Sequence, residues 1–149
     1  MVPGVGLSGR HSENYQLIFT MLRTGIINPA ILSLMARVRH TNTVVISDRG
    51  FPFWPEIETV DLSLIDDLPT VNQVLEALLP NFVVGRAYMA EQFRGVNDAS
   101  VVQERKNFLG AIPLSFEDHD EFKKRIPHAI GLIRTGDTTQ YSNIILVSA

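Results

Sequence analysis

The sequence predicts an α/β fold, a single-domain layered sandwich in which helices pack on a mixed, mostly parallel sheet. Short β-branched runs alternate along the chain with segments whose apolar residues recur at helical spacing, and this alternation is the main reason for the prediction. Apolar side chains make up 45% of the 149 residues and charged side chains 19%, a balance typical of a chain that folds around one core.

Helix signals mark four segments of the chain. The first has Asn28 as a candidate N-cap and Pro29 at the first helical position, and its apolar residues recur at helical spacing up to Arg39. A second helix is predicted to begin at Pro69 and to end before Pro80, because proline is tolerated in the first turn of a helix but not in its interior. The other two predicted helices cover residues 99–109 and 118–125.

Strand signals lie between these helices. Residues 43–47, TVVIS, are a β-branched run that ends at a polar loop, which is typical of a buried strand. The following loop contains Pro52 and Pro55, which exclude a central strand there. The remaining predicted strands cover residues 57–62, 82–90, 112–116, 129–133 and 144–147.

The composition excludes several classes of function. Thirteen basic residues against sixteen acidic ones give a formal net charge of −3, so we expect neither nucleic acid nor a membrane surface as a partner. No apolar run approaches the roughly 20 residues that span a bilayer. The chain has no cysteine, hence no disulfide, thiolate metal site or cysteine nucleophile, which is compatible with a cytoplasmic location.

The first twenty residues do not have the pattern of a folded element. They contain no apolar run of the length that a secretory signal needs. Gly4, Gly6 and Gly9 match the dinucleotide-binding spacing G-x-G-x-x-G, but no predicted strand precedes them and no βαβ unit surrounds them. We therefore expect a tail here and not a nucleotide-binding loop.

Histidines are the candidates for acid–base chemistry, because imidazole titrates near neutral pH. His40 lies where the first helix gives way to a strand, so it can face a cleft; alternatively, it only stabilises the helix C-terminus. For His11 and His128 we expect surface or core positions without a catalytic role. Residues 118–120, Asp-His-Asp, are adjacent on a helix start and point in different directions, so we expect Asp118 to be an N-cap and predict no metal site.

The aromatic loop after the first strand is a further candidate. Phe51, Phe53 and Trp54 could form an apolar floor for a sugar, because aromatic rings pack against the C–H face of a carbohydrate. A buried contact between subunits would use the same residues, and the sequence alone does not separate the two.

Three separated segments carry more specific patterns. They are residues 40–52 (HTNTVVISDRGFP), residues 119–123 (HDEFK) and residues 133–146, which contain RTGD and YSNIIL. Together they resemble the D-ribose pyranase and L-fucose mutarotase family, in one register from Met21 to the C-terminus. The corresponding family patterns are G-H-x-D-x-[ILV]-[IV]-[IVF]-x-D-x-x-[LF]-P, H-E-x-F-K, [ST]-G-E and Y-[AG]-N-[IL]-[IL]-L.

The resemblance implies an enzyme that interconverts the pyranose and furanose forms, and the anomers, of D-ribose or a similar aldose by acid–base catalysis. It implies a domain over residues 21–149, no cofactor or metal, and cytoplasmic ring-shaped homo-oligomers such as decamers. His40 is implied as the proton donor. The implied sugar contacts are Asp48, His119, Lys123, Tyr141, Ser142 and Asn143.

Two alternatives stay open at this stage. A mutarotase for L-fucose or another sugar is the first, although His119 favours the pyranase branch because fucose mutarotases usually carry arginine there. Departures from the family pattern at Arg39, Asn42 and Asp137 bear on the sugar more than on the reaction. The second alternative is a non-catalytic sugar-binding accessory of a transport system, for which two titratable histidines would be unnecessary.

The spacing of His40 and Asp48 leads to a separate expectation. If residues 43–47 are an extended strand, the two side chains are on the order of 20 Å apart, at about 3.3 Å per residue. They could share a pocket within one subunit only if the flanking turns folded back. We therefore expect a site that a neighbouring subunit completes.

Overall fold

The computed structural model describes residues 22, 23 and 25–149. The predicted tail over residues 1–20, with its three glycines and His11, lies outside the described residues. No helix within the described part of the chain is long and apolar enough to cross a membrane.

Six strands among the described residues form one mixed sheet. Its order is β2-β5-β1-β6-β3-β4, and every neighbouring pair is parallel except the two that involve β6. This confirms the predicted mixed, mostly parallel sheet. The strands are β1 (Thr43–Ser47), β2 (Glu58–Asp61), β3 (Val84–Ala90), β4 (Leu114–Glu117), β5 (Gly131–Arg134) and β6 (Ile144–Ser148).

The helices begin at side-chain caps that local sequence predicts. The side chain of Asn28 accepts hydrogen bonds from the amides of Ala30 and Ile31, and that of Asp118 accepts one from the Asp120 amide, which confirms both predicted N-caps. The helices are α1 (Pro29–Ala36), α2 (Val71–Leu78), α3 (Gln92–Val96), α4 (Ala99–Leu109) and α5 (His119–Arg125), with 3₁₀ turns at Leu79–Asn81 and Ile126–His128.

Three elements differ from the sequence prediction. Helix α2 begins at Val71 and not at Pro69, because the Thr70 side chain accepts a hydrogen bond from the Gln73 amide and caps the helix there. Helix α1 ends at Ala36, three residues early, because the Asn42 side chain accepts a hydrogen bond from the Arg39 amide and closes a turn there. Helix α3 was not expected, since its five residues, QFRGV, contain a glycine and are too few to show a helical period. The early end of α1 matters for function because it places His40 in a turn and not at a helix end.

Apolar residues cover both faces of the sheet. Val44 and Ile46 of β1 face the core under α1, α2 and α4, whereas Val45 faces the opposite core, where Phe51 and Phe122 pack. Burial on both faces explains why Val44, Val45 and Ile46 follow one another without the polar alternation of a strand that has one face in solvent. The second face is covered by α5 and the loop after β1, and the candidate site lies at the edge of this cover.

Two loops are joined at the carboxyl ends of β1 and β5. The amide and hydroxyl of Thr135 both donate to the carbonyl of Ser47, at 3.0 and 2.7 Å. The Arg49 amide donates to the Asp137 carbonyl at 3.0 Å. The segment after β5 is therefore held against the segment after β1, although some 88 residues separate them.

Candidate active site

A cavity of about 250 Å³ lies where these two loops meet the N-terminus of α5. Its walls combine a carboxylate, an imidazole, a phenol and two amides with an aromatic ring and a proline. This is the mixture expected of a site for a small polyhydroxylated molecule. The lining residues are Asp48, Gly50, Phe51, Pro52, His119, Gln140, Tyr141 and Asn143.

Asp48 follows the last residue of β1 and is fixed by its backbone and side chain. Its amide donates to Oδ1 of Asn143 at 2.8 Å, and its own Oδ1 accepts from the amide of Gly50 at 3.0 Å. Burial raises the pKa of the Asp48 carboxyl; the amides of Gly50 and Phe51 lower it by hydrogen bonding, and the charge of Asp137 raises it. The site therefore holds a partly desolvated carboxylate that can accept hydrogen bonds from hydroxyl groups.

His119 is the first residue of α5 and packs against Tyr141 in the cavity wall. The two rings meet edge to face, with centroids 5.1 Å apart. Burial lowers the pKa of His119, and the charge of Lys123 one turn later lowers it further, against the effect of three nearby carboxylates. The imidazole is therefore neutral at pH 7, and its buried Nδ1 has no hydrogen-bond partner among the described residues.

The turn before β6 supplies Tyr141 and Asn143. Tyr141 adopts a positive φ of 55°, a left-handed conformation that non-glycine residues rarely adopt. A non-glycine residue held in this backbone conformation indicates that the surrounding contacts define the turn closely. Asn143 is buried and binds the Asp48 amide, so the turn and the loop after β1 form one continuous wall.

The structure brings together four of the residues that the resemblance implies, namely Asp48, His119, Tyr141 and Asn143. Lys123 lies on α5 outside the cavity lining and acts on His119 through its charge. The sequence resemblance implied that Ser142 contacts sugar, but its side chain is fully buried and its hydroxyl accepts a hydrogen bond from another residue in the interior. Its two neighbours in the turn, Tyr141 and Asn143, line the cavity, whereas its own side chain points into the interior.

His40 lies away from the cavity that Asp48 lines. It is exposed in the turn before β1, and Asp48 follows the other end of the same strand. The backbone around it is fixed, since the Thr41 amide donates to the Ser148 carbonyl at 3.0 Å and Thr41 adopts a φ of 67°. Within one chain, therefore, His40 and the cavity stand at opposite ends of β1.

Three residues around the site were not singled out from the sequence. Gln140 lines the cavity directly. The Arg134 guanidinium donates to the carbonyls of Arg49 and Pro52, at 3.2 and 3.3 Å, and so fixes the loop after β1. Arg105 lies behind the turn that carries Tyr141. Arg134 begins the RTGD pattern but was not assigned a role there, Gln140 and Arg105 belong to no quoted pattern, and only the folded backbone brings the three to the site.

The aromatic loop contributes one ring to the cavity. Phe51 is buried and lines the site, and Trp54 packs against it with ring centroids 6.3 Å apart. Phe53 is 71% exposed and lies outside the cavity lining. No group of three or more metal-ligating side chains occurs within residues 22, 23 and 25–149.

A model of the RbsD / FucU transport protein family matches residues 21–149. The chain belongs to this family. Among its relatives, a D-ribose pyranase of Geobacillus thermodenitrificans is 37% identical over 128 residues, which cover 86% of this chain and 96% of that protein. A D-ribose pyranase of Chromobacterium violaceum is also 37% identical, over 86% of this chain and 97% of its own length. The resemblance inferred from the sequence is confirmed.

Two solved structures share the fold of this chain. RbsD of Bacillus subtilis, complexed with D-ribose, superposes with a TM-score of 0.80 at 28% identity, covering 87% of this chain and 98% of that one. The fucose mutarotase of Streptococcus pneumoniae, in complex with L-fucose, gives a TM-score of 0.71 at 15% identity, covering 85% and 94%. At that identity the second likeness concerns the fold alone.

Proposed function

We propose that this chain is a D-ribose pyranase, an isomerase that interconverts the pyranose and furanose forms of D-ribose. One observation carries the proposal. Asp48, His119, Tyr141 and Asn143, which come from segments of the chain far apart in sequence, line one cavity in a protein 37% identical to D-ribose pyranases. The predicted substrate contacts therefore stand where a single sugar ring can reach all four.

Each side chain at the cavity offers a sugar hydroxyl a defined partner. The Asp48 carboxylate accepts hydrogen bonds, and neutral His119 can donate from one nitrogen and accept at the other. The oxygen of Asn143 is already used by the Asp48 amide, so Asn143 offers its Nδ2 group as a donor. Tyr141 offers a phenol and an aromatic edge.

Ring interconversion needs two proton transfers at the same sugar. The pyranose opens when its ring oxygen gains a proton and the anomeric hydroxyl loses one; the bond between the ring oxygen and the anomeric carbon breaks, and the open-chain aldehyde forms. The hydroxyl on C4 then adds to the aldehyde carbon, with one proton lost and one gained, to give the furanose. Proton donors and acceptors alone balance this reaction.

In this proposal His40 is the proton donor and reaches the cavity from a neighbouring subunit. Its exposure and its position at the far end of β1 from Asp48 support a site made by two chains. We propose a ring-based homo-oligomer, such as a decamer, that works in the cytoplasm, with residues 1–20 outside the catalytic domain. Lys123 tunes His119 from outside the cavity.

Saturation-transfer NMR on D-ribose tests the proposal. Irradiation of the anomeric proton of the β-pyranose in the presence of catalytic amounts of protein is expected to reduce the furanose signals, because accelerated exchange carries saturation between the two ring forms. A heat-denatured sample of the same protein provides the control. Ribose signals that exchange at the same rate with native and denatured protein would contradict the proposal.

A panel of sugars in the same experiment separates the alternatives. Faster exchange between the anomers of L-fucose, without faster exchange of D-ribose, would indicate an L-fucose mutarotase. Line broadening of ribose signals without any exchange would indicate a sugar-binding accessory of a transport system. We expect exchange with D-ribose.

A further inference from the structure

Arg105 carries a buried positive charge on α4. Only 2% of its surface is exposed, although arginine is rarely buried without partners that use its charge. Its guanidinium lies over the ring of Phe93, with the central carbon 5.1 Å from the ring centroid. A charge in this position is costly unless its donors are satisfied, so its hydrogen bonds indicate what it does.

The guanidinium holds Ser142, which lies behind the cavity wall, by two of its nitrogen atoms. Its Nη1 donates to the carbonyl of Ser142 at 2.8 Å, and its Nη2 donates to the hydroxyl of the same residue at 2.6 Å. A third donor, Nε, binds Oδ1 of Asn72 at 2.7 Å and connects this group to the neighbouring helix surface. The planar fork of arginine satisfies this pattern, whereas the single ammonium of lysine cannot.

Ser142 lies between two residues of the candidate site. Tyr141 precedes it and Asn143 follows it, and both line the sugar cavity while Ser142 itself is buried behind them. The Ser142 hydroxyl also donates to Oδ2 of Asp137 at 3.5 Å. The backbone that carries the two contact residues is therefore held from its rear by Arg105.

Carboxylates near Arg105 compensate its charge. Burial lowers the pKa of Arg105 to about 10, and the charges of Asp137 and Glu104 act in the opposite direction. The side chain thus stays charged at neutral pH. Asp137 is itself fixed, since it accepts hydrogen bonds from the amides of Val71 and Thr139. The rear support is a connected network and not an isolated contact.

We infer, on the basis of the proposed function, that Arg105 is a positioning residue for sugar binding, holding the 141–143 turn so that Tyr141 and Asn143 face the substrate. It touches no substrate itself. Loss of the Arg105 side chain lets the turn relax from the left-handed conformation at Tyr141. The side-chain oxygen of Asn143 then moves away from the backbone amide of Asp48. The loss therefore weakens substrate binding more than it slows the chemical step.

Exchange rates measured over a range of ribose concentrations test this inference. We expect Arg105→Met to raise KM roughly tenfold with kcat little changed, because a displaced contact wall weakens binding in the ground and transition states alike. Arg105→Lys is expected to raise KM in the same way, and Ser142→Ala to raise it by a smaller factor. The matched control is Lys106→Gln, an exposed residue next to Arg105 on the same helix, which leaves both constants unchanged.

A purely structural role predicts different results. Partial unfolding would lower kcat in proportion to the folded fraction and leave KM at its wild-type value, and that outcome in Arg105→Met would overturn the inference. A wild-type KM in Arg105→Lys would overturn it too, since charge without the fork would then suffice. If Arg105→Met does not fold, Ser142→Ala decides: an unchanged KM contradicts positioning.

Amide chemical shifts provide a readout that does not depend on activity. In ¹⁵N-labelled protein, Arg105→Lys and Ser142→Ala are expected to shift the resonances of Tyr141, Asn143 and Asp48, whereas Lys106→Gln leaves all three in place. Unmoved resonances would overturn the inference even if the wild-type protein fails to exchange ribose. An inactive wild-type protein whose variants shift these resonances would contradict the proposed function alone.

Discussion

His40→Ala is expected to lower kcat/KM for ribose ring exchange by about 10²–10⁴-fold, the range typical of a lost general acid or base. The imidazole is the group proposed to protonate the sugar ring oxygen, and alanine has no group that could transfer a proton in its place. Ring exchange followed by saturation-transfer NMR measures the loss directly. Ribose affinity, measured separately by titration calorimetry, is expected to change much less.

The fold of the His40→Ala variant is expected to be preserved. His40 is exposed, and the turn around it is held by backbone and Asn42 contacts that the substitution does not touch. His11→Ala is a suitable control, because it removes an imidazole from the segment expected to lie outside the domain. If His40→Ala exchanges ribose at the wild-type rate, the proton-donor role proposed for His40 is wrong.

Asp48→Asn is expected to have opposite effects on activity and on stability. Exchange falls by roughly 10- to 100-fold, because an amide is a weaker hydrogen-bond acceptor for sugar hydroxyls than a carboxylate. The free energy of unfolding at neutral pH rises, because the wild-type protein must keep a partly desolvated carboxylate charged near Asp137. Asparagine can still accept from the Gly50 amide, so the loop keeps its shape.

The pH dependence of this stability difference has a definite sign. Because the folded pKa of Asp48 is raised, the folded chain binds this proton more readily than the unfolded chain. The wild-type free energy of unfolding therefore loses a contribution as pH rises from the ordinary aspartate pKa through the folded value. Urea denaturation should show the advantage of Asp48→Asn to be greatest at neutral pH and to shrink in acid; an advantage that grows in acid would contradict the assigned direction.

Local signals in the sequence predicted much of the fold. The strand TVVIS at residues 43–47 and the N-caps Asn28 and Asp118 depend on interactions within a few residues, so their residue types alone indicate the structure. Helix α3 was missed and the end of α1 was misplaced, each for its own reason. One has too few residues for a periodic signal, and the other depends on an Asn42 side chain that competes with the helix.

The candidate site was predictable only through the family resemblance. Asp48 and Asn143 are 95 residues apart in the sequence. No local periodicity could show that the backbone amide of Asp48 donates to the side chain of Asn143. The resemblance indicated the segment 141–143 as a whole. It did not show that Ser142 turns inward to Arg105 while its two neighbours line the cavity, because that depends on the backbone conformation of the turn.

A complementation experiment tests the central proposal, that two subunits build each site. His40→Ala and Asp48→Asn each inactivate a different half of the site, so coexpression of the two variants should produce mixed rings. In these rings about one quarter of the interfaces, by random assortment, combine an intact His40 with an intact Asp48. Saturation-transfer NMR is then expected to show ribose exchange near one quarter of the wild-type rate. An exchange rate no higher than the mean of the rates of the two variants expressed separately would contradict a shared site.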